Sequence, residues 1–319
     1  MLQSIDASAG RSPQEILPLL VAKAATRDFV RKWAGVTLSV AILIAVAIQV
    51  RGIDFGKILS IAPGFSSFWI VFLCFYLLVP LSHWVIYRQI WRLGPRAIVP
   101  LLRKQVANEV VLGYSGEAHF YFWARQHAGL TGSPFGAIKD VSMLSAIAGN
   151  IVTLVLMAVM APTIARIMTG TLATTFQLSV MAVVILSLAP FVFGRRLFSL
   201  TASVLTRVFA VHLARLALIV ILSAVMWHIL LPTVPVAVWL SLATLKLMIS
   251  RLPLVANKDV LFAAATMLLL GKEADVAAAV ALTSSLTLLA HVSVGLVTAL
   301  YGLIERSEPA QLHPSRQLS

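Results

Sequence analysis

Two stretches of this chain set ionisable side chains beside backbone-breaking residues, inside sequence that is otherwise apolar. The first, Ile98 to Leu130, reads IVPLLRKQVANEVVLGYSGEAHFYFWARQHAGL. Arg103 and Lys104 open it, and Asn108 and Glu109 interrupt its first apolar limb. Gly113-Tyr114-Ser115-Gly116-Glu117 forms a break, and an aromatic limb from His119 to Trp123 ends in Arg125 and His127. The second stretch is Arg251-Leu252-Pro253-Leu254-Val255-Ala256-Asn257-Lys258-Asp259. Ionisable groups at membrane depth are costly, so where they persist they mark substrate paths and proton relays. Glu117 is the leading candidate, because a carboxylate just after Gly116 also suits the positive end of a helix dipole. Glu109 is placed to pair with Arg103 or Arg125 near a mouth of the path. Lys258 and Asp259 either neutralise each other or meet charge on a substrate.

Other chemistries fit less well. Gly113-Tyr114-Ser115-Gly116 matches the Gly-x-Ser-Gly pattern of rhomboid-type intramembrane proteases, and Ala290-His291 with Gly295 resembles their histidine helix. A nucleophilic serine needs a histidine within hydrogen-bond reach. Gly295 follows His291 by one residue too many, and Glu117 has no role in that scheme, so a rhomboid-like serine protease is the remote alternative. The seven histidines are scattered without ligand-like spacing, and the one cysteine, Cys74, lies in an apolar run, so neither a metal, a cofactor nor a disulfide is expected. Tyr114, Tyr121 and Trp123 read as packing or interfacial anchors. Asn150 reads as an interhelical hydrogen bond.

The elements that must carry these stretches follow from composition. The chain of 319 residues is 60% hydrophobic and 12% charged. A soluble domain carries about 25% charged residues, so this is a polytopic all-α membrane protein. The net charge of +13 sits in short loops between apolar runs, where it sets orientation; no nucleic-acid partner is implied. Residues 1–33 form a basic cytoplasmic segment, too long and too basic for a cleavable leader. Spanning runs are expected at Ala34 to Val50, Ser67 to Tyr87, Val141 to Ala161, Leu172 to Phe193, Val208 to Leu231 and Ala277 to Leu303. Residues 305–319 form a cytoplasmic tail.

Loop charge decides what the two polar stretches do. The loops holding Arg88 to Lys104 and Arg195 to Arg215 are both basic, hence both cytoplasmic. The sequence between Gln105 and Ala124 must leave that side and return to it. One full crossing needs about 20 apolar residues, so two do not fit, whereas a re-entrant hairpin does. Residues 98–130 and 236–271 are therefore predicted as hairpins, with Gly113 and Gly116 giving the first tip its turn freedom. The single transmembrane domain, 34–304, divides into halves 34–161 and 172–304 of opposite orientation. Inverted repeats with broken helices meeting at the midplane are a common transporter plan. Eight full crossings are the rival count, and it also leaves both termini cytoplasmic.

With Asn108, Gly113, Gly116 and Glu117 in the first half and Leu252, Pro253 and Asp259 in the second, the chain resembles the lysylphosphatidylglycerol synthase transmembrane, or flippase-like, family over about Ala34 to Leu303. The family's arginine after Gly-Glu is absent at Phe120, leaving His119 or Arg125 to stand in for it. Asn257-Lys258 replaces the glycines of the second tip. The resemblance implies a flippase part standing alone, without the aminoacyl transferase domain. It also implies translocation of an anionic phospholipid or lipid-linked substrate in the bacterial inner membrane, without covalent chemistry. From the residues and the resemblance together, the path is expected to be lined by Asn108, Glu109, Gly113, Gly116, Glu117, His119, Arg125, Arg251, Pro253, Asn257, Lys258 and Asp259. The expectation is that Glu117 approaches Lys258 or Arg251 where the tips meet. The alternative is a non-transporting membrane partner of an envelope-lipid synthesis enzyme.

Overall fold

A computed structural model describes residues 63, 67–127, 132–167, 197–250, 258–269 and 274–307. All regular structure among them is helical. Long helix α1 is Ser67–Trp91, followed by a 3-10 turn, Pro95–Ala97, and α2, Ile98–Val106, which runs into a π-helical turn, Ala107–Val111. Helix α3 is Ser115–His127 and α4 is Phe135–Ile167. The second set comprises α5 (Ala202–Leu230), α6 (Val236–Ser250), α7 (Lys258–Leu269) and α8 (Ala274–Ser307). The order in each set is long helix, two short helices, long helix. The expected spans at Ala34 to Val50 and Leu172 to Phe193 lie outside the described residues, as do residues 1–33 and most of the tail.

Helices α1, α4, α5 and α8 are each long and apolar enough to cross a membrane, which makes this a membrane protein. At 1.5 Å per residue the 25 residues of α1 reach about 37 Å, beyond the ~30 Å of hydrocarbon. Helix α1 stops where Arg92 turns to a positive φ of 54°, its N–H still bonded to the Arg88 carbonyl at 2.9 Å. Pro232 and Pro235 cannot donate to a helix ladder, and they separate α5 from α6. The short helices differ in kind from the long ones. They run from about 13 Å in α2 to about 22 Å in α6, so none crosses alone; α2 packs on α3, and α6 on α7.

Helix α5 is the centre of the bundle, against which α1, α4 and α6 pack, while α8 packs on α7 and on α2. Trp227 of α5, Trp239 of α6 and Phe262 of α7 are fully buried, and the rings of Trp239 and Phe262 each lie tilted against Trp227 at 5.8 Å. Tyr87, Leu101, Phe120, Val141 and Val208 form a second core that holds the first helix pair against α1, α4 and α5. Val106, Ala107 and Val110 fit against Leu288 and Val292 of α8. The two sets of helices therefore meet both where α5 packs on α1 and α4 and where α2 packs on α8. Ile70, Val155, Val159, Ile221 and Val297 face outward on the long helices, as lipid-facing positions would. One buried carboxylate fixes the approach to α5: Asp140 of α4 accepts the N–H groups of Ser199 and Leu200 at 2.6 and 2.8 Å, while the neighbouring Lys139 ammonium donates to the Leu197 carbonyl.

Candidate functional site

The first helix pair closes on a charge. Lys104 of α2 is 2% exposed, and its Nζ lies 3.2 Å from Glu117 Oε1 in the first turn of α3. The chain can bring these together because the limbs almost touch. A Cβ on Gly116 would stand 2.1 Å from the Lys104 carbonyl oxygen and 2.8 Å from Asn108 Oδ1. With hydrogen in its place, the Gly116 N–H donates to Asn108 Oδ1 at 2.7 Å, and Ser115 Oγ donates to the Ala107 carbonyl at 2.8 Å. The first satisfies a donor at the start of α3 that the intrahelical ladder leaves open; the second adds to the Leu112 N–H already bonded to the Ala107 carbonyl at 3.2 Å in the π-helical turn. The left-handed residue of the turn is Tyr114, at φ 70°. Gly116 is thus required for close approach, and the freedom assigned to it in the turn is taken up by a tyrosine.

Behind Lys104 lies a buried polar group contributed by the long helices. Lys104 Nζ is 3.4 Å from His83 Nε2 of α1, and the His83 ring meets the fully buried His212 of α5 at 6.0 Å. His212 Nε2 bonds the Val141 carbonyl at 3.2 Å, and Arg215 donates to Ser145 Oγ of α4 at 2.9 Å. Among the described residues Glu117 Oε2 is buried without a hydrogen bond of good geometry.

The second helix pair holds a second ion pair. Lys246 of α6 lies 2.8 Å from Asp259 Oδ1 in the first turn of α7, over the rings of Phe75 and Phe262 at 4.9 and 5.7 Å. Lys258 Nζ donates to the Ser250 carbonyl at 3.0 Å. Lys258 and Asp259 stand in the first turn of α7. The helix dipole favours the acid in that first turn. Tyr76 of α1 and His291 of α8 join at 3.1 Å, and Asp259 and Lys246 both act electrostatically on His291. Glu109 links the two regions: Asp259, Lys258 and Lys246 of the second pair and Glu117 of the first all act on it.

The predicted residues are thus partly brought together. Asn108, Glu109, Gly116, Glu117, Lys258 and Asp259 gather at the breaks of the helix pairs. Gly113 is in the turn, half-buried, and His119 is half-buried one turn or less beyond Glu117. Arg125 is exposed at the far end of α3, about 12 Å of helix from Glu117, and so is remote from the break. Arg251, Pro253 and Asn257 lie outside the described residues. The ion-pair partner of Glu117 is Lys104 of its own hairpin, in place of the expected Lys258 or Arg251, and that of Asp259 is Lys246 in place of Lys258. In each pair the lysine lies on the opposite limb of the same helix pair, and Lys258 is turned to the Ser250 carbonyl. Ser115 and His291, which a protease would need together, are bonded to Ala107 and Tyr76 respectively. Sequence reasoning assigned no site role to Lys104 and passed over Lys246, His83 and His212. Lys246 had a signal, being a lone charge in an apolar limb of 15 residues. Among the described residues no group of three or more His, Cys, Asp or Glu is placed to hold a metal. Comparison with protein-family models, with curated proteins and with solved structures finds no match.

Proposed function

We propose that this protein is a flippase-like translocator of an anionic phospholipid or lipid-linked substrate, working without covalent chemistry in a bacterial inner membrane. In this reading the two helix pairs are re-entrant hairpins, entered from opposite faces, and both termini are cytoplasmic. The observation that carries it is the placing of two Lys–carboxylate pairs at the breaks of helix pairs too short to span, inside a bundle of spanning helices. Non-helical backbone at membrane depth is tolerated where protein buries it or where it lines a wet cavity. Paired charges there would offer a headgroup an alternative to water, while acyl chains remain in lipid. The resemblance to the lysylphosphatidylglycerol synthase transmembrane family supports the same reading.

The test is reconstitution. Purified protein in phosphatidylcholine vesicles doped with fluorescent phosphatidylglycerol should speed loss of the outer-leaflet signal over protein-free vesicles when dithionite is added. The Lys104→Gln protein should not. A wild-type protein that moves none of the anionic lipids offered would replace the translocator with the membrane-partner reading.

A further inference from the structure

The two ion pairs are built to one pattern. In each hairpin a lysine on the first limb meets an acid in the first turn of the second limb. The acid follows the lysine by 13 residues both times, 104 to 117 and 246 to 259. Four residues after each lysine, the first limb accepts a hydrogen bond from the residue just before the acid. Asn108 Oδ1 accepts from the Gly116 N–H, and the Ser250 carbonyl accepts from Lys258 Nζ, each bond joining residues eight apart. The atoms differ and the placement is the same.

Each unit keeps bonding capacity in reserve. An ammonium has three donors and no acceptor, and an ionised carboxylate only accepts. Lys104 spends its donors on one carboxylate oxygen at 3.2 Å and a long contact to His83. Lys246 has one oxygen and two aromatic faces. The second oxygen of Glu117 is buried without a hydrogen bond of good geometry among the described residues, while the Asn108 side chain and the Glu117 N–H act on the carboxylate from outside that geometry. A buried acceptor left unmet costs about 1–3 kcal/mol, so a ligand bringing a donor to it is favoured. A lysine beside a carboxylate is complementary to a phosphate that carries a hydroxyl or ammonium a few atoms away.

Resting on the translocator reading for its place in the membrane, the geometry points to two equivalent headgroup subsites, one per hairpin. Each opens its Lys–carboxylate pair around a phosphodiester with a nearby donor group. At the first, Lys104 takes the phosphate and Glu117 the donor; at the second, Lys246 and Asp259 do the same. The helix dipole behind each acid holds it in place when its lysine turns to the ligand.

Native mass spectrometry of the full chain with short-chain lipids tests this apart from transport. Phosphatidylglycerol and phosphatidylethanolamine carry phosphate and donor; phosphatidylcholine carries phosphate alone. Wild-type protein should bind two molecules of either of the first two, and phosphatidylcholine about tenfold more weakly, as expected for loss of a charge-assisted bond. Lys104→Gln and Lys246→Gln should each retain one molecule. Glu117→Gln and Asp259→Asn keep the lysine and should narrow the preference over phosphatidylcholine at one subsite each, which serves if a lysine variant fails to fold. Equal binding of phosphatidylcholine by wild-type protein, or unchanged stoichiometry in both lysine variants, overturns the inference. So does loss of both molecules from one lysine variant and none from the other. Competition by soluble glycerophosphoglycerol at the same concentration would keep the subsites and move their ligand from lipid to solution. Protein that binds as expected yet moves no lipid between leaflets would keep them while ending the translocator reading.

Discussion

Replacing Gly116 by alanine tests the closure of the first hairpin most directly. The added methyl would lie 2.1 Å from the Lys104 carbonyl oxygen, a backbone atom that cannot rotate away. Carbon prefers neighbours at about 3.5 Å, so the limbs must part by about 1.4 Å. Overpacking of this kind costs about 1–3 kcal/mol. The same shift lengthens the 2.7 Å bond from Gly116 N–H to Asn108 Oδ1, worth about 1 kcal/mol, and strains the 3.2 Å pair of Lys104 with Glu117. The expected loss is about 3 kcal/mol. Equilibrium unfolding in mixed micelles with increasing dodecyl sulfate measures it. Two other glycines calibrate the result. A Cβ on Gly136 meets side-chain atoms of Ser199, the hydroxyl oxygen at 2.7 Å and Cβ at 2.9 Å, with no backbone atom among them, and one on Gly94 meets nothing within 4 Å. Gly136→Ala should cost about 1 kcal/mol and Gly94→Ala within about 0.5 kcal/mol of nothing, as for a surface change. If Gly116→Ala is no less stable than Gly94→Ala, the limbs do not approach as described and the charge pair across them has no such support.

Three further outcomes are expected. Lys104→Met leaves Glu117 without its cation in a mostly buried setting and should cost about 3–5 kcal/mol, whereas Lys104→Met with Glu117→Leu should recover most of that, because a buried pair is costlier to break than to remove; a cycle with additive losses would deny the coupling. Asp140→Ala strips acceptors from the N–H groups of Ser199 and Leu200 and should destabilise the protein by about 2–4 kcal/mol, read as a lower thermal midpoint in detergent. In a Cys74→Ser background, Ser133→Cys should react with an impermeant maleimide from the cytoplasmic side alone, and periplasmic labelling would contradict a first hairpin that re-enters.

Hydrophobic run length alone located the four long helices, because an apolar stretch of 20 or more residues has few other stable fates. The same rule, together with loop charge, predicts residues 98–130 and 236–271 as hairpins, since their apolar limbs are short and broken by Gly113, Gly116 and Pro253. Composition placed the protein in a membrane before any fold was known. Periodicity and loop charge are blind, however, to which side chains meet. Glu117 was singled out as a carboxylate at a break, but its partner was sought across the bundle when it lay one limb away. Only the approach of the two limbs, permitted by the missing Cβ of Gly116, makes Lys104 the nearest cation. Lys246 was overlooked because a single charge hardly alters the hydropathy of a 15-residue run, yet packing sets it on Asp259. His83 and His212 are far apart in sequence, and α1 and α5 bring their rings to 6.0 Å. Local sequence decides where the backbone must bend, because backbone hydrogen bonding and hydrophobic length are local constraints. Charge pairing depends on distances of a few ångströms between segments, and those exist only once the helices have packed.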